Sequence, residues 1–91
     1  MMNEEKRKDL KEKLEAFHVW PSIYVYKFIF KSNEEKLSLL KSKFPEEVEF
    51  STKTSSGGKY TSVTIKEMVL KAEIIFQRYE DVSSIEGIIS L

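Results

Sequence analysis

Residues 22–30 read SIYVYKFIF, a run of aromatic and β-branched side chains that is typical of a β-strand. The aromatic residues occupy alternate positions and therefore share one face, whereas the other face carries aliphatic residues and one charged residue, Lys27. Because the charge marks the solvent side, the aromatic residues are assigned to the core. Both faces are otherwise apolar, so this strand is predicted to lie in the middle of a sheet rather than at its edge.

Helical and strand patterns alternate after this strand. The sequence Ser32-Asn33-Glu34-Glu35 is a capping-box pattern that opens a helix, and Pro45 ends it. Val48 and Phe50 then alternate with polar residues, which predicts a half-buried strand. A return strand is predicted from residue 59 to about residue 69, and the turn between the two strands holds two glycines.

The hairpin has two possible registers. If Gly57-Gly58 forms a two-residue turn, Phe50 faces Ile65, whereas a four-residue loop would pair Phe50 with Val63. Either register places apolar opposite apolar.

A second amphipathic helix is predicted over residues 71–82, and a last strand over residues 85–91. The order β-α-β-β-α-β predicts an α+β, ferredoxin-like sandwich, in which a four-stranded antiparallel sheet carries two helices on one face. Right-handed crossovers place the first and third strands in the centre. The predicted core residues are Tyr24, Tyr26, Phe28, Phe50, Ile65, Ile75 and Tyr79.

The N-terminal region is predicted to be a charged helical extension. Residues 3–17 are rich in Lys and Glu and carry a narrow apolar stripe, formed by Leu10, Leu14 and Phe17. Pro21 disfavours helix at Trp20, so the chain is divided into an extension over residues 1–19 and a domain over residues 20–91.

Composition excludes several classes of function. The 91 residues hold 15 Lys+Arg, 15 Asp+Glu and no cysteine. The zero net charge gives no general attraction to nucleic acid or membranes, and the lack of cysteine removes disulfides and thiolate chemistry. No apolar run is long enough to cross a bilayer, and the charged N-terminus does not resemble a secretory signal. A cytoplasmic protein without cofactor or metal is therefore expected.

No catalytic constellation stands out. His18 is the only histidine and is interpreted as a helix-end residue. The stretch 55–59, SSGGK, superficially resembles a phosphate-binding loop, but a strand follows it where a P-loop has a helix. Small ferredoxin-like acylphosphatases need an arginine in the first strand-to-helix loop, and the only arginines here are Arg7 and Arg78. The protein is therefore expected not to be an enzyme.

Two surfaces are candidates for binding. The first, a ligand or partner surface, comprises Lys27, Ser56, Gly57, Gly58, Lys59 and Tyr60. The second is an interface: Ile23, Val25 and Ile29 form an apolar strip on the outer face of the sheet. Either the N-terminal helix covers this strip through Leu10, Leu14 and Phe17, or a second subunit does.

The residues from about Trp20 to Leu91 resemble the YbeD-like family of small uncharacterised bacterial proteins, which carry a domain of unknown function. The resemblance rests on Trp20-Pro21, on Lys27 within its strand, on the turn and strand of residues 55–64, and on Tyr79. It implies a ferredoxin-like fold similar to ACT regulatory domains, which pair and bind small molecules. Two departures are Phe30, where the family often has glycine, and the lack of a His-Pro before the last strand.

The sequence favours two functions. The first is a non-enzymatic, ACT-like regulatory or small-molecule-binding module, with self-association left open. The alternative is a protein- or RNA-interaction adaptor that uses the open sheet face.

Overall fold

The computed structural model describes residues 4–17 and 20–91, with side chains described for residue 6, residues 8–13 and residues 20–91. Its helices and strands are α1 (Glu4–Phe17), β1 (Ser22–Lys31), α2 (Glu34–Ser42), β2 (Glu49–Thr54), β3 (Tyr60–Val69), α3 (Ala72–Val82) and β4 (Ile89–Ser90). The four strands form one antiparallel sheet in the order β2-β3-β1-β4. The chain is thus an α+β protein, and the predicted central position of the first and third strands is confirmed.

Strand β1 has its aromatic residues inside and its lysine outside. Tyr26, Phe28 and Phe30 are buried, whereas Lys27 is exposed on the opposite face. The prediction from residues 22–30 is therefore confirmed. Strand β1 pairs along its whole length with β3, whereas β4 pairs with it only at Phe28 and Ile29.

The core lies between the sheet and the helices α2 and α3. Tyr26, Phe28, Ile65 and Ile75 are buried as predicted, whereas Tyr24, Phe50 and Tyr79 are only half-buried. Phe50 lies on the edge strand β2, and so one flank of its ring has no neighbouring strand to cover it. The other buried apolar residues are Phe30, Leu40, Phe44, Val63, Val69, Ala72, Phe76, Val82 and Ile85.

The hairpin adopts the register predicted from a turn at Gly57-Gly58. Phe50 pairs with Ile65, and the alternative pairing with Val63 is wrong, since Val63 pairs with Thr52. Both glycines have positive φ, +85° and +74°, a conformation that side-chain-bearing residues rarely adopt.

Helix α2 begins one residue later than the capping-box pattern implies. Its N-cap is Asn33, whose side chain accepts a hydrogen bond of 3.0 Å from the backbone N–H of Lys36. The hydroxyl of Ser32 instead hydrogen-bonds the hydroxyl of Thr61 at 2.8 Å. The loop before α2 is thereby tied to the start of β3.

The last strand is shorter than predicted. Only Ile89–Ser90 pairs with β1, whereas Ile85 is buried just after α3 and Gly87 turns the chain with a φ of +78°. The apolar residues of 85–91 thus belong to two structures: Ile85 packs in the core after α3, and Ile89 lies in β4. Read together, they resemble one continuous strand.

Helix α1 lies on the helical side of the sheet. Leu10 packs against the core there, and Lys11 forms a 2.8 Å ion pair with Glu73 of α3. The interpretation in which this helix covers Ile23, Val25 and Ile29 is therefore wrong, because those side chains point to the opposite side. The side chains of Leu14 and Phe17, and all of His18, lie outside the described residues. None of the described helices is long and apolar enough to cross a membrane.

Candidate functional site

The side of the sheet that faces away from α2 and α3, here called the open face, combines aliphatic and basic side chains. Strand alternation and register place the following residues on it: Ile23, Val25, Lys27, Ile29 and Lys31 of β1, Tyr60, Ser62, Thr64, Lys66 and Met68 of β3, Glu49, Ser51 and Lys53 of β2, and Ile89 of β4. At one end of this face Ile23 and Met68 pair with each other and are 58% and 60% exposed. No helix described in the structure covers them.

The open face is basic although the whole chain has zero net charge. Its exposed lysines are Lys27, Lys31, Lys53 and Lys66, and its one carboxylate is Glu49, which pairs with Lys66. Positive charge is thus in excess on this side of the sheet. A local excess of ammonium groups attracts anions even where net charge does not.

At the other end of the open face, two depressions meet at Ile29 and Tyr60. One, of about 210 Å³, is also lined by Lys53, Ser55 and Ser62. The other, of about 470 Å³, is also lined by Lys31, Lys36, Gly87 and Ile89. We call the two depressions together the Tyr60 site. Each has an apolar floor and at least one lysine at its rim.

The side chains of the Tyr60 site come from β1, α2, β2 and β3, which approach one another at this end of the sheet. Lys31 and Tyr60 form the last pair of the β1–β3 ladder, and the backbone N–H of Ser32 donates to the carbonyl of Lys59 at 3.0 Å. Gly87 allows the close approach of Lys36, since a Cβ there would lie 2.9 Å from the lysine Nζ. The Lys59 ammonium lies 5.6 Å from the centroid of the Tyr60 ring, within the range of a cation–π contact.

The structure brings part of the predicted ligand surface together. Tyr60 lines both depressions, Lys59 lines neither but contacts the Tyr60 ring, and Lys27 lies on the same face opposite Thr64. Ser56, Gly57 and Gly58 form the exposed tip of the hairpin and do not line either depression. Of the predicted interface residues, Ile29 lines the Tyr60 site, Ile23 and Val25 lie at the far end of the open face, and Leu10 lies on the other side of the sheet.

A buried polar network on the helical side escaped the sequence analysis. The Tyr26 hydroxyl donates to Glu67 Oε1 at 3.0 Å, and the Arg78 guanidinium donates to both Glu67 oxygens, with its shortest bond at 2.8 Å. Glu67 is only 6% exposed. The hydrogen bond to Glu67 raises the pKa of Arg78. The signal that could have revealed this network is the register, which places Glu67 on the same face as Ile65 and Val69.

This network joins β1, β3 and α3, and all of its charged groups are engaged with one another. Because its carboxylate is buried and already accepts bonds from two side chains, we interpret the network as structural.

Alkaline pH is expected to destabilise the fold through two tyrosines. Burial raises the pKa of Tyr26 and Tyr79 above the ordinary value. Unfolded tyrosine ionises near pH 10, so above that value the unfolded chain loses protons that the folded chain retains, and the free energy of unfolding falls as pH rises. Urea denaturation from about pH 8 to about pH 11 measures this slope. Tyr79→Phe should reduce the slope, and an equal slope in the variant would contradict the assignment.

The described residues contain no group of three or more His, Cys, Asp or Glu side chains that could hold a metal ion. The described lining of the Tyr60 site consists of lysines, hydroxyl-bearing and apolar side chains, and Gly87.

The fold and the open face together define a class: a small α+β protein whose antiparallel sheet has lysine-rich depressions on the face away from α2 and α3. Within that class the family can be named. Residues 15–91 match DUF493, described as a protein family of unknown function, and the chain belongs to this family. The prediction that the chain belongs to a family of unknown function is confirmed at that level. The same comparisons found no match among curated proteins and none among solved structures.

Proposed function

We propose that the chain is a non-enzymatic regulatory module of the cytoplasm, with a ferredoxin-like, ACT-like fold, that binds a small organic anion at the Tyr60 site. The strand order β2-β3-β1-β4 supports the ferredoxin-like assignment, since it places the first and third strands in the centre. The likeness to ACT domains is fold analogy, and so the argument for binding rests on the site itself.

One observation carries the proposal: Ile29 and Tyr60 are shared by two adjoining depressions that have lysines at their rims. The ammonium groups of Lys31, Lys36 and Lys53 match carboxylate or phosphate oxygens. The Tyr60 ring and the Ile29 side chain offer contact to an apolar portion of the same molecule. A site of mostly apolar surface with a few directed polar groups is typical of small-molecule binding.

The lining also supports binding without catalysis. The described residues that line the Tyr60 site include no carboxylate and no imidazole, the side chains that most often serve as general base at neutral pH. Its lysines and hydroxyls can hold an anion in place by charge and hydrogen bonds.

Thermal unfolding in the presence of candidate anions tests the proposal. Amino acids, dicarboxylates and phosphate esters are screened separately, and one chemical class should stabilise the protein. A ligand at about 100 times its Kd should add about 2.7 kcal/mol to the free energy of unfolding. Lys31→Gln and Tyr60→Ala should each reduce that stabilisation, since one removes an ammonium and the other a ring from the site.

The control variant is Lys71→Gln, which removes an exposed lysine at the start of α3, away from the open face. It should bind as the parent protein does. If Lys71→Gln and Lys31→Gln lost the same stabilisation, the anion would be attracted by overall charge and not bound at the Tyr60 site. Robust turnover of any phosphate ester would overturn the non-enzymatic assignment.

An adaptor that binds a partner through the whole open face is the second candidate function. The exposed Ile23, Val25 and Met68 favour it, because large aliphatic side chains outside a core mark interaction surfaces. A protein partner fits better than RNA, since aliphatic side chains do not stack on bases and Tyr60 is the one aromatic residue on this face. Because the open face is rich in lysine, such a partner should be acidic. A second copy of this chain fits poorly, since its lysines would face the lysines of the first. RNA stabilisation that disappears with salt would favour the RNA form instead.

A further inference from the structure

A second depression lies on the helical side of the sheet, between α1, α3 and the strands β1 and β4. Its volume is about 490 Å³, and we call it the tyrosine groove. Its described lining residues are Leu10, Tyr24, Phe28, Tyr79, Val82, Ser83, Ile85, Ile88 and Ser90. It shares no described lining residue with the Tyr60 site, which opens on the other side of the sheet.

The floor of the groove is rigid and apolar. Phe28, Val82 and Ile85 are buried core residues, and Phe28 pairs with Val63 of β3 on one side and with Ser90 of β4 on the other. The rings of Tyr24 and Tyr79 meet edge to face with centroids 6.4 Å apart. A surface of this kind, held by the core, is shaped before any ligand arrives.

The hydroxyl groups of Tyr24 and Tyr79 provide hydrogen-bonding atoms in the otherwise largely apolar groove. The Tyr24 and Tyr79 hydroxyls are 3.1 Å apart and share one hydrogen bond. One hydroxyl donates in that bond, and the Ser90 side chain also hydrogen-bonds the Tyr79 hydroxyl, so the pair retains one further donor hydrogen. A tyrosine hydroxyl is protonated at neutral pH, and burial raises the pKa of Tyr79 further above it.

No described residue of the lining carries a charge. An ion would therefore lose its hydration in the groove without gaining a counter-ion, which is costly. An uncharged molecule would bury apolar surface against Phe28, Val82 and Ile85 at no such cost. The volume lies within the range of small-molecule sites.

Helix α1 contributes one wall of the groove through Leu10, and its Lys11 contacts Glu73 of α3. The ion pair between Lys11 and Glu73 joins side chains that are 43% and 45% exposed. Exposed ion pairs of this kind contribute little to stability.

We propose that the tyrosine groove binds an uncharged, mainly apolar small molecule that forms one hydrogen bond with the Tyr24–Tyr79 hydroxyl pair. This site differs from the Tyr60 site in the charge of its ligand and in its side of the sheet. The two sites therefore respond differently to salt, because only the Tyr60 site relies on ammonium groups.

The probe for this proposal is N-phenyl-1-naphthylamine, an uncharged aromatic amine whose fluorescence rises in apolar surroundings. Titration of the full chain should saturate at one probe per chain, with an affinity that salt does not weaken. Leu10→Lys, which places a charge in the lining, should weaken binding at least about tenfold. The same substitution at Leu39, an exposed residue of α2 outside the groove, should leave the affinity unchanged.

A hydroxyl deletion tests the groove without disturbing α1. Tyr79→Phe keeps the ring and removes one hydroxyl, so probe affinity should fall about threefold to tenfold, the value of one neutral hydrogen bond. Unchanged affinity in both Leu10→Lys and Tyr79→Phe would overturn the proposal. Failure to saturate, or a dimer in sedimentation that dissociates as the probe binds, would also overturn it, the latter because a second copy would then be the natural occupant.

Discussion

Phe28→Ala is expected to lower the free energy of unfolding by about 3–5 kcal/mol. Phe28 has no exposed surface, and its ring lies 6.1 Å from Tyr79, 6.4 Å from Tyr26 and 6.4 Å from Phe44, measured between centroids. These neighbours belong to three different elements, β1, α3 and the segment after α2, so they cannot close on the vacated space together. The loss is comparable to much of the total stability of a small protein.

The matched control is Ile23→Ala, on the same strand but on the open face. Ile23 is 58% exposed, and its truncation should cost well under 1 kcal/mol. Urea denaturation of the two variants measures both values with one probe of unfolding. If Phe28→Ala unfolded at the same urea concentration as the parent protein, the assignment of the aromatic face to the core would be wrong.

The central strand was predictable because one strand contains two independent signals. The period of two separates the faces, and Lys27 distinguishes the solvent side from the core side. The hairpin itself was predictable from its two glycines, but its register was not, because both registers place apolar residues opposite each other. The structure adopts the register of a turn at Gly57-Gly58, which pairs Phe50 with Ile65.

The position of α1 was not predictable from its sequence. Its stripe of Leu10, Leu14 and Phe17 is apolar, but apolar contact has no direction and fits either side of the sheet equally well. The structure shows what the stripe alone lacks: α3 offers Glu73 to Lys11, and the end of the core offers Tyr24 and Tyr79 beside Leu10.

The candidate site was only partly predictable. Lys59 and Tyr60 were found because they adjoin the glycine turn, a local feature of the sequence. Lys31 and Lys36 were missed, since they come from two elements, β1 and α2, and meet Tyr60 only through the register and the loop at Gly87. Buried Glu67 was missed because acidic residues on strands are normally assigned to the solvent face.

Arg78→Met is expected to destabilise the protein by about 3 kcal/mol, a second large effect with a different cause. Met retains much of the apolar bulk of the side chain, so the change mainly removes the guanidinium that donates to both oxygens of Glu67. The Glu67 carboxylate stays buried beside the hydroxyl of Tyr26 and has no cation to balance it. Chemical denaturation measures the loss.

A double variant separates this cause from a simple loss of packing. In Glu67→Leu with Arg78→Met, both charges are gone and the site can pack as an apolar core, so the double variant should be more stable than Arg78→Met alone. Packing loss alone predicts the opposite, since each substitution would then add its own cost. A double variant that is less stable than Arg78→Met would show that the ion pair does not account for the effect. Recovery in the double variant would mean that Arg78 stabilises the fold chiefly by neutralising Glu67, and that the network between β3 and α3 is a structural feature rather than part of a binding site.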